Sequence, residues 1–198
     1  MNKELIIIIF SCVLFNPAFG QFDFGIRAGM NLSNWDTRGH NTLTSFHAGG
    51  TVQYQFSESY SLHAELLYSG KGTDLPDYIP VNPMTFTVKY ISLPVLMGYH
   101  LQKVAFKIGP EVSYLVGSGI EINGQKQDVP EAFDDWDFGI AGGATLQIVP
   151  DLNFEVRYVY GLKDVVLLNF VDSNGLALGQ LNKGKNRVFQ FGLNFLFP

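Results

Sequence analysis

The sequence predicts an all-β fold: an eight-stranded antiparallel up-and-down transmembrane β-barrel with a filled polar lumen. Three observations carry that prediction. From Gln21 onward the 198-residue chain returns to segments in which every second residue is apolar or aromatic and the residues between are small or polar, the mark of a strand with two unlike faces. These segments number eight, and single-chain bacterial barrels have even strand numbers. The connections alternate short and long, as periplasmic turns and outer loops do.

Met1–Gly20 is set apart as a signal peptide. Lys3 supplies its positive end, Leu5–Phe15 its apolar run, and Ala18-Phe19-Gly20 a small-x-small cleavage site before Gln21. The run is shorter than the roughly 20 apolar residues of a spanning helix, and no later stretch reaches that length. Membrane residence must therefore use strands. A lipoprotein reading of Ile9-Phe10-Ser11-Cys12 is the alternative, but it leaves few apolar residues before the cut and a very apolar new N-terminus.

The mature domain, 21–198, divides into strands near 22–32, 44–56, 60–69, 85–100, 104–117, 135–149, 152–163 and 187–197. Each suffices to cross a bilayer at a tilt, which takes about 9–11 residues. Ser57–Ser59, Leu101–Lys103 and Pro150-Asp151 are tight turns, whereas 33–43, 70–84, 118–134 and 164–186 are long and rich in Gly, Pro, Asn and Asp. In the first strand Phe22, Phe24, Ile26, Ala28 and Met30 share one phase; in the last, Phe189, Phe191, Leu193, Phe195 and Phe197 do. These two strands are expected to meet at the seam. Seven strands have an outward phase without a charge, as a lipid-facing wall requires, since Lys or Arg at the bilayer midplane costs about 2–4 kcal/mol. The fourth is irregular: Phe86, Val88 and Tyr90 lie in one phase, and Ile91, Leu93, Val95, Met97 and Tyr99 in the other. A bulge near Tyr90-Ile91 would bring both sets to one face. Pro94 and Pro110 each remove a ladder donor, so irregular pairing is expected where the fourth and fifth strands meet.

A secreted lipocalin-like carrier, with the apolar face turned inward, shares this alternation. The aromatics discriminate. Phe22, Phe56, Tyr60 and Phe197 fall at periplasmic strand ends, and Tyr68, Tyr114, Trp136 and Tyr160 at outer ends, as two interfacial girdles.

A net charge of -5 with 16% charged residues offers no basic patch for nucleic acid. Cys12 is the only cysteine and leaves with the signal, so neither disulfides nor thiol chemistry are expected. No cofactor is expected.

The inward phase carries Asp23, Arg27, His47, His63, Glu65, Lys107, Glu111, Glu155 and Arg157. Eight strands leave an interior just wide enough for side chains to fill, and buried charges must pair. The expected result is a plug of ion pairs built on Arg27, Glu65, Glu111, Glu155 and Arg157; a narrow gated pore is the functional alternative. His47 opposite Ser69, with His63 and Glu65 on one face, suggests an outer-membrane lipid-modifying enzyme. These groups point into the lumen, so polar packing is preferred and no catalytic residue is assigned. Asp134, Asp135 and Asp137 lack the full oxygen set of a Ca²⁺ loop, and are read as a solvated rim with no metal assigned. Leu75, Tyr78 and Ile79 in one long loop, and Leu167, Leu168 and Phe170 in another, are apolar for surface segments and are the candidate partner-binding residues.

Several stretches resemble the PorT-like outer-membrane β-barrel domain family across most of the mature chain. They are Phe24-Gly25-Ile26-Arg27-Ala28-Gly29-Met30-Asn31-Leu32-Ser33, Phe46-His47-Ala48-Gly49, Leu62-His63-Ala64-Glu65-Leu66-Leu67-Tyr68-Ser69-Gly70-Lys71-Gly72, Tyr90-Ile91-Ser92-Leu93-Pro94-Val95-Leu96, Gly109-Pro110-Glu111-Val112-Ser113-Tyr114-Leu115 and Asn186-Arg187-Val188-Phe189-Gln190-Phe191-Gly192-Leu193. The terminal Pro198 departs from the aromatic residue common at the end of such barrels, while Phe197 stays in phase. The resemblance implies an eight-stranded barrel of Gram-negative bacteria whose namesake is tied to type IX secretion. The expected function is that of a small outer-membrane barrel, structural, assembly-related or secretion-associated, with no enzymatic activity. It is expected to be a monomer with both termini in the periplasm, its partners being outer-membrane lipid and a protein at the surface loops.

Overall fold

The computed structural model describes residues 22–36, 41–75, 84–122, 124–171, 177–181 and 184–197, with backbone only for 168–171 and 177–181. Met1–Gly20, expected to be a signal peptide, lies outside the described residues, as do Tyr78 and Ile79.

Strands β1 (Phe22–Trp35), β2 (Leu43–Gln55), β3 (Tyr60–Leu75), β4 (Met84–Leu101), β5 (Val104–Ile122), β7 (Trp136–Val149), β8 (Leu152–Gly161) and β11 (Asn186–Leu196) form the wall. Each pairs antiparallel with its chain neighbour among these eight, and β11 returns to β1. The sheet is a closed eight-stranded up-and-down barrel. The seam runs through Ile26↔Phe195, Ala28↔Leu193 and Met30↔Phe191, so the apolar phases of the first and last strands do meet side by side.

Of the seven strands with a clean expected wall phase, no outward residue is buried. Phe24, Ile26, Phe46, Leu66, Ile108, Ile140 and Phe189 are exposed, with Ile108 the most open at 64%. The lumen instead takes Arg27, His47, Glu65, Lys107, Glu111, Glu155 and Arg157, each at most 4% exposed. The lipocalin-like arrangement would invert these two sets. Rings ride on the outer wall near the short turns, where Phe22–Tyr54, Phe56–Tyr60 and Tyr60–Tyr99 lie 4.7, 6.2 and 5.3 Å apart. At the other end Tyr114 and Trp136 lie 5.0 Å apart, and Arg187 stacks 3.7 Å over Tyr160 while donating to Asp36.

Three strands outrun their expected ends: β1 reaches Trp35 through continued pairing with β11, and β3 and β5 reach Leu75 and Ile122 because both go on pairing with β4 beyond the bilayer-length segment. Two expected loops also contain strands. One holds β6 (Gln125–Asp128), paired to the end of β5; the other holds β9 (Leu168–Val171) and β10 (Ala177–Leu181), a separate hairpin.

The expected repair of β4 is corrected by the structure. A register slip does occur beside Tyr90, but the extra residue is Val116 on β5, between Gly117↔Lys89 and Leu115↔Tyr90. Strand β4 alternates without interruption, so Phe86, Val88 and Tyr90 point inward and are buried while Ile91, Leu93 and Met97 point outward. The reason is register: a strand paired on both sides keeps its period of two, and a bulge on the neighbour bends that neighbour instead. Near the prolines, Pro94 still opposes Glu111, and β4–β5 pairing resumes at Met97↔Ile108.

Candidate functional site

Among the described residues the buried charges are four cations, Arg27, Lys71, Lys107 and Arg157, and four carboxylates, Glu65, Glu111, Asp137 and Glu155. They separate into two clusters along the barrel axis.

The lower cluster, nearer the short turns, is centred on two carboxylates. Glu65 Oε2 accepts from Arg27 Nη1 at 2.8 Å and from Arg157 Nη1 at 2.9 Å, and Glu65 Oε1 accepts from Arg157 Nη2 at 2.6 Å. Arg157 Nε donates to Glu155 Oε1 at 2.7 Å, and Glu155 Oε2 accepts from Lys107 Nζ at 2.9 Å and from Thr145 at 3.2 Å. Arg27 adds a 3.4 Å contact to Glu155 and another to Gln190. The paired, two-pronged geometry suits guanidinium. Alternation on β1, β3, β5, β7, β8 and β11 delivers these residues to one height.

Glu111 is not in that cluster. It accepts from Lys71 Nζ at 3.0 Å, and Lys71 also reaches Asp137 at 3.3 Å and Ser113 at 3.3 Å. Lys107 and Glu111 share β5 but are four residues apart, about 13 Å along an extended strand, so they serve different heights. Asp137 is 3% exposed and accepts from Asn186 at 2.8 Å, which corrects its reading as a solvated rim acid. Asp134 does lie at the rim, where a hydrogen bond from Lys163 and the Trp136 N–H hold its carboxyl below the usual range.

Lys71 escapes the sequence reading because the expected third strand stops at Ser69, whereas β3 runs on to Leu75. The signal was present, since Lys71 and Thr73 continue the inward phase of His63, Glu65, Leu67 and Ser69.

Between the clusters, His47 Nδ1 pairs with Asn31 Oδ1 at 2.7 Å, and Asn31 Nδ2 donates to Ser69 Oγ at 3.0 Å. Asn31 thus stands between the imidazole and the hydroxyl. Gly29 and Gly192 face each other across the seam, and a Cβ on Gly192 would come within 3.0 Å of His47 Nε2 and 2.9 Å of the Ala28 carbonyl. Their missing side chains leave room for the imidazole.

Above Lys71 the lumen is closed by an apolar layer. Trp35, Phe86, Val88, Tyr90, Leu115, Ala132, Phe133, Val165 and Val166 form one buried cluster, with Trp35 5.2 Å from Phe86 and 5.9 Å from Phe133. Val165 and Val166 come from the loop after β8, tied down by Asp134 N–H to Val165 O at 2.9 Å and Leu167 N–H to Ala132 O at 2.8 Å. This segment folds into the barrel mouth.

Of the candidate partner residues, Leu75 is half-buried against this apolar cluster, and Leu167 is 38% exposed. Leu168 and Phe170 lie in β9, with only their backbone described; Tyr78 and Ile79 are outside the described residues.

A family model described as outer membrane protein beta-barrel domain matches residues 15–166. No curated protein matches the chain. Among solved structures it is similar to Neisserial surface protein A, at 11% identity over 88% of this chain and 97% of that one, with a TM-score of 0.54. It is also similar to OprG from Pseudomonas aeruginosa, at 14% identity over 89% and 96%, with a TM-score of 0.51. At these identities the likeness is one of fold.

Proposed function

This chain belongs to the outer membrane protein beta-barrel domain family, and from that premise we propose that it is a non-enzymatic structural or assembly component whose long-loop end meets a protein partner. The observation that supports this most is the double closure of the lumen, by ion pairs below and by apolar packing above. A narrow gated pore would need both layers to open, and breaking either costs several kcal/mol. A lipid-modifying site would need His47 and Ser69 in contact and open to lipid, whereas both side chains are buried and Asn31 stands between them. What is left for recognition is the rim. The export signal and the return of β11 to the short-turn end favour both termini in the periplasm and the long loops outside. The PorT-like resemblance makes a secretion assembly the first place to look for the partner.

A photo-crosslinking residue at position 167 in native membranes tests this reading. A discrete protein adduct is expected there and none from the same probe at Glu58 in a short turn. Lipid adducts alone at both positions would reject a partner at the long-loop end.

A further inference from the structure

We infer that the outer face of the wall, at its long-loop end, carries a cleft between β4 and β6 for the phosphate of a membrane lipid. The cleft lies on the lipid side of the rim and not in the barrel mouth. It therefore stands apart from the proposed protein partner and does not depend on that reading.

The bulge on β5 builds it. Tyr114 and Val116 face outward and are exposed, but the extra residue at Val116 reverses the phase beyond it. Gly117, Gly119 and Glu121 then lie opposite Lys89, Thr87 and Thr85 on the outer face, while Ser118 turns inward and is buried. Bulges re-aim side chains in this way. Gly119, beside Gly117, lines a cleft of about 130 Å³, with Thr87 and Lys89 on one side and Lys126 and Asp128 on the other. Its floor is open: a Cβ on Gly117 would meet nothing nearer than Lys89 Cδ at 3.6 Å, an ordinary contact. The volume falls below the roughly 300–1,000 Å³ of pockets that enclose a whole ligand, so the cleft suits a headgroup fragment.

Height and charge select the fragment. One outward position below Lys89, Ile91 pairs with Tyr68 and Tyr114 of the outer girdle, and such girdles mark the headgroup level. Lys89 is exposed and forms no ion pair among the described residues. Other cations of this end are already matched: Lys126 by Glu121 at 3.5 Å, Lys163 by Asp134 at 2.7 Å and Arg187 by Asp36 at 2.6 Å. Asp128 stands opposite Gly119, one outward position farther from the girdle than Lys89. A free ammonium directly above the girdle, with the Thr87 hydroxyl beside it, complements an anionic phosphate of the adjoining leaflet.

The test uses the barrel of residues 21–198 with Ile91→Cys carrying a fluorophore, in phosphatidylcholine vesicles that contain either brominated phosphatidic acid or brominated phosphatidylcholine. Quenching gives the relative affinity of the two lipids for the wall beside Lys89. Phosphatidic acid, with its exposed phosphate, is expected to be favoured about fivefold, the effect of one lysine near an anionic surface. Lys89→Gln should abolish that preference, and Lys163→Gln, at a cation already paired with Asp134, should leave it. Gly117→Val keeps the charge but fills the floor, so it should lower the preference too. Equal affinity for both lipids in the parent barrel, or a preference that survives Lys89→Gln, overturns the inference. A preference untouched by Gly117→Val would reduce the effect to surface charge and remove the cleft. Saturable binding of inorganic phosphate without any lipid preference would give the site to a free anion and overturn the lipid as its occupant.

Discussion

Glu65→Ala is expected to destabilise the barrel by about 3–5 kcal/mol, the loss seen when one partner of a buried ion pair is removed. Glu65 is 1% exposed and takes three hydrogen bonds from two guanidinium groups. Its removal leaves Arg27 with a single 3.4 Å carboxylate contact and turns a balanced lumen into one with an extra cation. Glu155 cannot take over, since it already serves Lys107 and Arg157. Equilibrium unfolding in urea, read by the heat-dependent gel mobility of folded barrels, measures the change. Glu65→Gln, which keeps the shape and an acceptor but not the charge, should fall between wild type and Ala. A loss below 1 kcal/mol for Glu65→Ala would mean that water or movement of the arginines replaces the carboxylate.

The second large effect belongs to the outer wall. Ile108→Arg is expected to cost about 2–4 kcal/mol in a bilayer, as a cation does near the midplane of a lipid-facing strand. Ile108 is the most open apolar side chain on that wall and pairs with Met97 and Gly142, far from both girdles. Val104→Arg, on the same strand and face but at its short-turn end, should cost no more than about 1 kcal/mol. The contrast between depths is what identifies lipid as the contact; equal costs at both positions would argue for packing against protein.

Much of this was legible from the order of residues alone, and the exceptions share a cause. Alternation located eight wall strands and the seam because lipid tolerates no charge on the outer face, so the period of two stays clean. Arg27, Glu65, Glu155 and Arg157 were found together because the same alternation aims them inward at similar heights. The apolar layer was not legible. Phe86, Val88 and Tyr90 alternate with Thr and Lys just as a lipid-facing stretch would, and only the register against β5 shows that they point inward. Val165 and Val166 read as exposed loop residues, because nothing local records that the chain turns back into the mouth. Lys71 and Asp137 were lost at strand ends, where polarity looks the same whether a residue meets water or a buried partner.

The claim on which the rest stands is that the apolar phase of each wall strand touches acyl chains and the polar phase fills the interior. A series of single-cysteine variants along β5 of residues 21–198, labelled with a fluorophore in vesicles containing a brominated lipid, tests it directly, since the only native cysteine, Cys12, lies outside that span. Quenching is predicted at Phe106, Ile108 and Val112 and not at Ala105, Lys107 and Ser113. Quenching in the opposite phase, or none at any of the six positions, would contradict it.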